Sequence, residues 1–425
     1  MAPIRFGLIG GGWRAEFFTR IARELPERFQ LVGVVQRDPQ KAAAFAAQWG
    51  APAFAGYAEL AAAEPDFVVL SVKPEAHLAI LSELHQLGLA VLCETPAALD
   101  LETMVAIWRL VEAGLRLHIA EQYLFQPLHA ARLRLIGNGG LGKVSFARVS
   151  AAHGYHGVSL MRQFLGIGFE DAVIRGKLFE ARALEGPNRF SWPQTERFVT
   201  TRQTLGEFDF GDRLGLFDFT DVQYRSPVHS HRVVIRGERG EIADLEARVM
   251  PVYGQPLTRS FTRNESGRYG NLFGYALEAM VCGDEVVWTM PYPNARLMDD
   301  EIAIAVAMER MGEMARGQGA GPYPYAEGAQ DQYLSLLMHE AARTGETVRS
   351  VRQPWAGWFL LPSPLRGGVG GGGGSVITDG PPPPTPPLKG EGGRSSSWRC
   401  CSLAPAQPRT PSAKMALYLP LPIAM

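Results

Sequence analysis

From Ile4 to Gln122 the chain alternates short apolar runs with longer stretches whose apolar residues recur at helical spacing. RFGLIG, LVGVVQ, DFVVLSV, AVLCE and RLHIAE are rich in Val, Ile and Leu and read as strands. Between them RAEFFTRIARELP, DPQKAAAFAAQWG, HLAILSELHQLG and DLETMVAIWRLVEAG read as helices. Asp38 precedes Pro39 as a helix cap, and Asp100 caps the last of the four. Near-continuous apolar strands are buried on both faces, so the alternation predicts an α/β unit with a parallel, doubly wound sheet. Ligands of such sheets sit beyond the carboxyl ends of the strands.

After Gln122 the period changes. TLGEFDFGDRLGLFDFTDVQYRS alternates apolar and polar residues around a Gly-Asp turn, the pattern of an antiparallel hairpin with one wet face. HRVVIRGERGEIADLEARV gives a further pair of strands around Gly237 and Gly240. The alternating aromatics from Phe208 to Phe219 are explained by core packing. From Pro362 glycine and proline take over and apolar periodicity ends. Such a segment cannot bury enough surface to offset its conformational entropy, so 358–425 is expected to be a disordered, dispensable tail rather than a proline-rich docking element.

The chain has 425 residues, 46% of them hydrophobic, enough for two domains with their own cores. Its net charge is −1, which offers no electrostatic reason to expect nucleic acid or an anionic membrane as partner. The cysteines Cys93, Cys282, Cys400 and Cys401 form neither a zinc spacing nor a disulfide framework. The N-terminus enters a strand without a charged and apolar leader, and no run approaches the roughly 18 apolar residues of a membrane span. These features predict a cytoplasmic protein with a small-molecule partner.

Candidate chemistry clusters at the strand ends. In GLIGGGWRAE, Gly10, Gly12 and Ala15 fit G-x-G-x-x-G/A between a strand and a helix, where the backbone approaches a pyrophosphate and the helix N-terminus supplies N–H donors. Trp13 and Arg14 follow in the same turn. An acidic residue normally ends the second strand and holds the ribose 2′-hydroxyl. Here Gln36 and Arg37 stand there, which favours NADP over NAD, since Arg37 can pair with a 2′-phosphate. Asp38 is better explained as a cap. Ser71 and Lys73 end the third strand, and Glu94 and Thr95 the fourth.

In this order the glycine turn, KPEAH and CETPAALD resemble the Gfo/Idh/MocA family of NAD(P)-dependent oxidoreductases. AEQYLFQPLHAARLRLIGNGGLGKV resembles the family's passage into its second domain, RGERGEI its late hairpin, and MDDEIAIAVAMERM and AEGAQDQYLSLLMHEA its closing helices. The resemblance covers about residues 4–355. It implies a Rossmann dinucleotide-binding domain, 1–122, and a second α+β domain, 123–357, on a large, open, mostly antiparallel sheet. It also implies homodimers or higher homo-oligomers, and action on sugars, polyols or related hydroxylated molecules.

The family's Glu-Lys-Pro signature is Glu94-Thr95-Pro96 here, so the lysine that assists hydride and proton transfer is replaced by a hydroxyl that does not titrate near neutrality. The family's second signature, an Asp and then a His four residues on, falls on SAAHGYHGVSLMRQFLG: His156 matches, and Ala152 stands at the aspartate position. On the helix expected there, Val158, Met161 and Leu165 share one apolar face, and His156, Ser159 and Gln163 another. The positive helix end lowers the pKa of a first-turn histidine and keeps it neutral, which suits a base. His156 is therefore the first catalytic candidate, with Tyr155 and Lys73 as groups that could replace the lysine, and Gln122, His153 and Ser159 as substrate contacts. His153 and His156 lack the further ligands a metal needs, and no metal is expected. His229 to His231 alternates on what reads as a strand and is expected at the surface rather than in the site. Two functions stay open: an NAD(P)-dependent oxidoreductase, or a nucleotide-binding sensor of the same fold without turnover. Hydrolysis or elimination with retained cofactor is a third.

Overall fold

The computed structural model describes residues 2–267 and 273–360. The predicted tail lies outside these residues from 361 on, as do Cys400 and Cys401.

The first sheet is built from β1 (Ile4–Ile9), α1 (Ala15–Glu24), β2 (Phe29–Val35), α2 (Pro39–Trp49), β3 (Ala53–Phe54), α3 (Tyr57–Ala62), β4 (Phe67–Leu70), α4 (His77–Gln86), β5 (Val91–Cys93), α5 (Leu101–Glu112) and β6 (Leu117–Ile119). All pairings are parallel and the strand order is β3-β2-β1-β4-β5-β6. This is the doubly wound order whose switch point lies between β1 and β4. The strands carry the apolar runs: Phe6, Leu8 and every residue of β4 and β5 are buried. Asp38 caps α2 by accepting from the backbone N–H groups of Gln40 and Lys41, and Asp100 caps α5 by accepting from Thr103 N. β3 and α3 are not foreseen by periodicity, because two and six residues are too short to show a period.

After α6 (Pro127–Gly137) come β7 (Val144–Ser150), α7 (Gly154–Leu165), β8 (Val173–Leu184), β9 (Phe198–Asp209), β10 (Leu214–Thr220), β11 (Arg232–Gly237), β12 (Gly240–Ala243), β13 (Glu246–Val252), β14 (Gln255–Ser266), β15 (Ala276–Cys282) and β16 (Glu285–Thr289). The chain then forms α8 (Asp299–Ala315), α9 (Tyr325–Thr344) and β17 (Val348–Arg349). The second sheet has eleven strands in the order β16-β15-β14-β13-β12-β11-β7-β10-β9-β8-β17 and is antiparallel except for β7 with β10. The predicted hairpins are β9–β10, closed at Asp209 and Leu214, and β11–β12, closed at Gly237 and Gly240. One face of the sheet takes α7 and α9 closely: a Cβ on Gly176 would meet the backbone of Met338 and Ala342, and one on Gly215 would meet Met161. The other face carries cross-strand ion pairs, Arg148–Asp218 and Arg175–Glu207 among them. Phe208, Phe217 and Phe219 are core residues.

Two features depart from the sequence expectation. His229 to His231 lies in a loop, and the strand starts only at Arg232. More consequentially, α8 leaves the second sheet and packs back on the first, against α1, β1 and β4. Gly312 is pressed so closely on Ile4 that a Cβ there would fall 2.6 Å from it. Arg20–Glu301 at 2.8 Å and Arg28–Glu309 at 3.0 Å tie the helix down.

Candidate active site

The glycine turn opens at the end of β1. Gly10 has φ +114°, a region that an L side chain resists, and a Cβ there would lie 2.1 Å from the carbonyl oxygen of Ser71. Gly11 carries the Gln36 side chain, which a Cβ would strike, whereas Gly12 faces open space. Gln36 Nε2 is buried without a partner, and Arg37 is exposed. Asp38 spends its carboxylate on the α2 cap, so no free carboxylate ends β2. A backbone cradle at a helix N-terminus, open space at Gly12 and an orphaned donor at the next strand end fit a dinucleotide. Trp13 is exposed, with Arg189 stacked on its ring.

Glu94 and Thr95 follow β5 directly. Glu94 is buried; its Oε1 accepts from Arg14 Nε at 2.8 Å and its Oε2 from Thr95 N at 3.3 Å. The Thr95–Pro96 peptide is cis. Tyr155, at the start of α7, lines the same cavity as Thr95, and burial pushes its phenol well above the usual range. Thr95, Tyr155 and Glu121 line one small cavity that also touches Asp331 and Gln332 of α9.

Beside it lies the tightest contact of the site. His156 Nδ1 and Glu121 Oε2 are 2.5 Å apart and both side chains are buried. Glu121 follows β6, and its other oxygen accepts from Tyr123 N at 3.1 Å. Burial drives both groups from their charged forms: it pushes the Glu121 carboxyl up to about 8, against the pull of Tyr123 N–H and Arg14. It brings the His156 imidazole down to about 3, with Arg14 adding to the effect. The helix end invoked from sequence is thus not the dominant cause. Glu94 and Asp300 act on His156 in the opposite sense. Tyr123, Tyr155 and His153 pack their rings on the imidazole, with centroids at 4.6, 4.4 and 5.1 Å. Tyr224 closes the group, accepting from His153 N at 3.1 Å and from Tyr123 OH at 2.9 Å.

The remaining candidates fall differently. Gln122 is buried, and among the described residues its Oε1 has no partner. His153 is exposed at the N-terminus of α7. Lys73 is exposed on the turn after β4, and its side chain makes no hydrogen bond or ion pair with described residues. Ser159 corrects the expectation of a ligand-facing stripe: it is fully buried and its Oγ lies 3.0 Å from the Tyr323 hydroxyl. Its helix is buried almost all round, because a second sheet covers one side and α9 another. Tyr323 donates to Asp331 at 2.6 Å, and Asp331 and Glu327 both hold Arg162, at 2.5 and 2.8 Å. Glu121 was the residue to find: it ends a parallel strand one position before the candidate Gln122, where the rule that marked Glu94 applies equally. Asp300, brought in by α8, leaves no local signal. Among the described residues no group of three or more His, Cys, Asp or Glu is arranged to hold a metal, and no helix is long and apolar enough to cross a membrane.

Comparison with known proteins agrees with this architecture. Residues 4–120 match the model of the Gfo/Idh/MocA oxidoreductase family, NAD-binding Rossmann fold. An inositol 2-dehydrogenase of Rhizobium meliloti is 27% identical over 149 residues, which cover 35% of this chain and 45% of that protein, under half its length. Levoglucosan dehydrogenase, solved with NADH and levoglucosan, superposes with TM-score 0.61 at 17% identity, covering 83% of this chain and all of that one (100%). An oxidoreductase from Agrobacterium radiobacter, solved with NAD+, L-tartaric acid and magnesium, gives TM-score 0.58 at 17% identity over 81% of this chain and 98% of that one.

Proposed function

From the premise that this chain belongs, through residues 4–120, to the Gfo/Idh/MocA family of NAD-binding oxidoreductases, we propose that it oxidises or forms a secondary alcohol on a sugar, polyol or related hydroxylated small molecule. The observation that carries this reading is the Glu121–His156 pair, set beside Thr95 and Tyr155 where the ends of β5 and β6 meet α7. A nicotinamide held here would supply the hydride acceptor for the alcohol carbon, or the hydride in the reverse direction. Gly10 and Gly12, with the N–H groups that open α1, hold the pyrophosphate; Trp13, Gln36, Arg37, Ser71, Glu94 and Thr95 border the nucleotide; Gln122 and His153 border the substrate.

The proton is the protein's task. In the deprotonated pair His156 donates Nδ1–H to the Glu121 carboxylate and presents a free Nε2. As the alcohol O–H breaks, Nε2 takes that proton and the Nδ1 proton passes to Glu121. The product pair is a neutral imidazole beside a carboxylic acid, the state that burial favours for both groups. Reduction runs the same transfer backwards. Tyr155, held far above its ordinary range, serves as a hydrogen-bond donor with Thr95 and not as a phenolate.

Absence of a free carboxylate at the end of β2 and exposure of Arg37 support NADP ahead of NAD. The open face of the large sheet supports a homo-oligomer. The first test is a fluorescence titration of the full chain with NADPH and NADH, then a screen of inositols, aldoses and anhydrosugars. Binding with turnover that His156→Ala abolishes is the expected result; failure to bind either nucleotide defeats the proposal.

A further inference from the structure

A lysine in the Glu-Lys-Pro position places a fixed positive charge beside the reacting oxygen, and Thr95 carries none. The cation bonded into this turn is Arg14. It follows the end of β1 at the N-cap of α1, where a side chain would ordinarily serve the pyrophosphate, yet its Nε donates to Glu94, past the end of β5. In the order β1-β4-β5 those ends are two strands apart, roughly 10 Å at the usual strand spacing. The ion pair therefore ties the start of α1 to the turn that carries Thr95, whose N–H donates to the same Glu94 carboxylate.

The guanidinium is also incomplete. Nε is engaged, but among the described residues the two Nη nitrogens make no hydrogen bond, although the side chain is only 14% exposed. They are not sealed from solvent either, so they face an opening and not the core. Phe17 packs near the guanidinium, its ring centroid 5.1 Å from Cζ. A nearly buried cation with four N–H donors unspent lacks an acceptor. Its field reaches both members of the proton pair, holding His156 and Glu121 down.

We propose that Arg14, aimed by Glu94, supplies the positive charge at the reacting oxygen that Thr95 cannot, its Nη edge donating to the substrate hydroxyl. The proposal rests on the oxidoreductase reading above. In the oxidation the C–H bond gives its electron pair to the nicotinamide and the O–H proton goes to His156. Negative charge builds on the oxygen between those events, and Arg14 stabilises it by a charge-assisted hydrogen bond without gaining or losing a proton. The two tasks of one lysine are divided: charge to Arg14, proton to the Glu121–His156 pair.

The test compares full-length wild type, Arg14→Lys and Arg14→Gln, with three readouts. NADPH and NADH affinities come from fluorescence, kcat from the substrate found in the screen, and the His156 titration from NMR of the protein without nucleotide. The expected result for Arg14→Gln is a kcat lower by about 10²–10³-fold, the cost of one lost donor at a developing oxyanion. Nucleotide affinity stays within about threefold, His156 titrates at higher pH, and Arg14→Lys retains part of the rate. A tenfold or greater loss of nucleotide affinity with kcat unchanged would assign Arg14 to the pyrophosphate and overturn the proposal. So would equal turnover by wild type and Arg14→Gln. If wild type binds nucleotide but turns over nothing in the screen, the oxidoreductase reading itself falls, and this inference with it.

Discussion

In the proposed mechanism Glu121 governs the proton step, because the same burial that raises its carboxyl sets the pH at which the pair becomes a base. Only the deprotonated pair leaves His156 Nε2 free, so alcohol oxidation is expected to climb as pH rises through about 8 and to level off above it, with reduction falling over the same range. In Glu121→Gln that limb should vanish and kcat should drop by about 10²–10⁴-fold, measured as kcat against pH. The sign for stability is the reverse. A carboxyl raised above its unfolded value supports folding most below that unfolded value and loses the support as pH rises toward its folded value, so thermal stability should decline between about 4.5 and about 8 in wild type, level off above that, and decline less over that range in the Gln variant. Arg37 offers a separate check. A carboxylate at that strand end repels a 2′-phosphate and grips a 2′-hydroxyl, so Arg37→Glu should weaken NADPH binding by tenfold or more while leaving NADH bound, as read by fluorescence. Gly10, Gly12, Glu94, Thr95 and His156 could be marked from sequence because each lies at a motif position or a strand end. Glu121 obeys the same rule, but the stretch that holds it, AEQYLFQPL, reads as the passage into the second domain and masks its place at a strand end. Tyr224 and Asp300 reach the site only through tertiary structure, from a loop after β10 and from the start of α8.

At the scale of elements, α7 shows where periodicity misleads. Its apolar positions fall on one face as expected, but the opposite face is not left for a ligand: Ser159 and Arg162 turn into a sealed polar network with Tyr323, Glu327 and Asp331. A pattern read one helix at a time assumes that polar residues meet water, and here they meet the polar residues of α9. Burial raises Asp331 to about 7 even with Arg162 against it, so desolvation outweighs the ion pair and the network is finely balanced. Arg162→Met leaves two buried carboxyls without their cation and is expected to cost about 3–5 kcal/mol in denaturant unfolding. The β1–α1 turn carries the complementary constraint. Gly10→Ala forces a side chain into a positive-φ position and against the Ser71 carbonyl, so it should abolish nucleotide binding more completely than any loss of a single polar contact. The strands themselves were legible because each is a run of Val, Ile and Leu; β3 and α3 were not, being shorter than any period they could display.

For the whole molecule, the site is a seam. Its glycine turn, Glu94 and Glu121 come from the first sheet, His156 and Tyr155 from the helix on the second, and Asp300 from the helix that returns. A ligand in that seam binds only the folded arrangement, so saturation with the preferred nucleotide at about 100 times its dissociation constant should stabilise the fold by about 2.7 kcal/mol, seen as a rise in Tm.

The return of α8 has a further consequence, in the time order of synthesis. Ile4, on the first strand made, is packed against Gly312, and the sheet it opens is complete in sequence by Ile119. The helix that covers this face of β1 and β4 ends only at Ala315, about 200 residues later. At translation rates of about 5–20 residues per second, the nascent nucleotide-binding sheet waits roughly 10–40 s with an apolar flank uncovered. During that interval the growing chain, and not the finished protein, is the form most exposed to chaperones and to misassembly, and a gene fragment that stops after the first domain would make that passing state permanent.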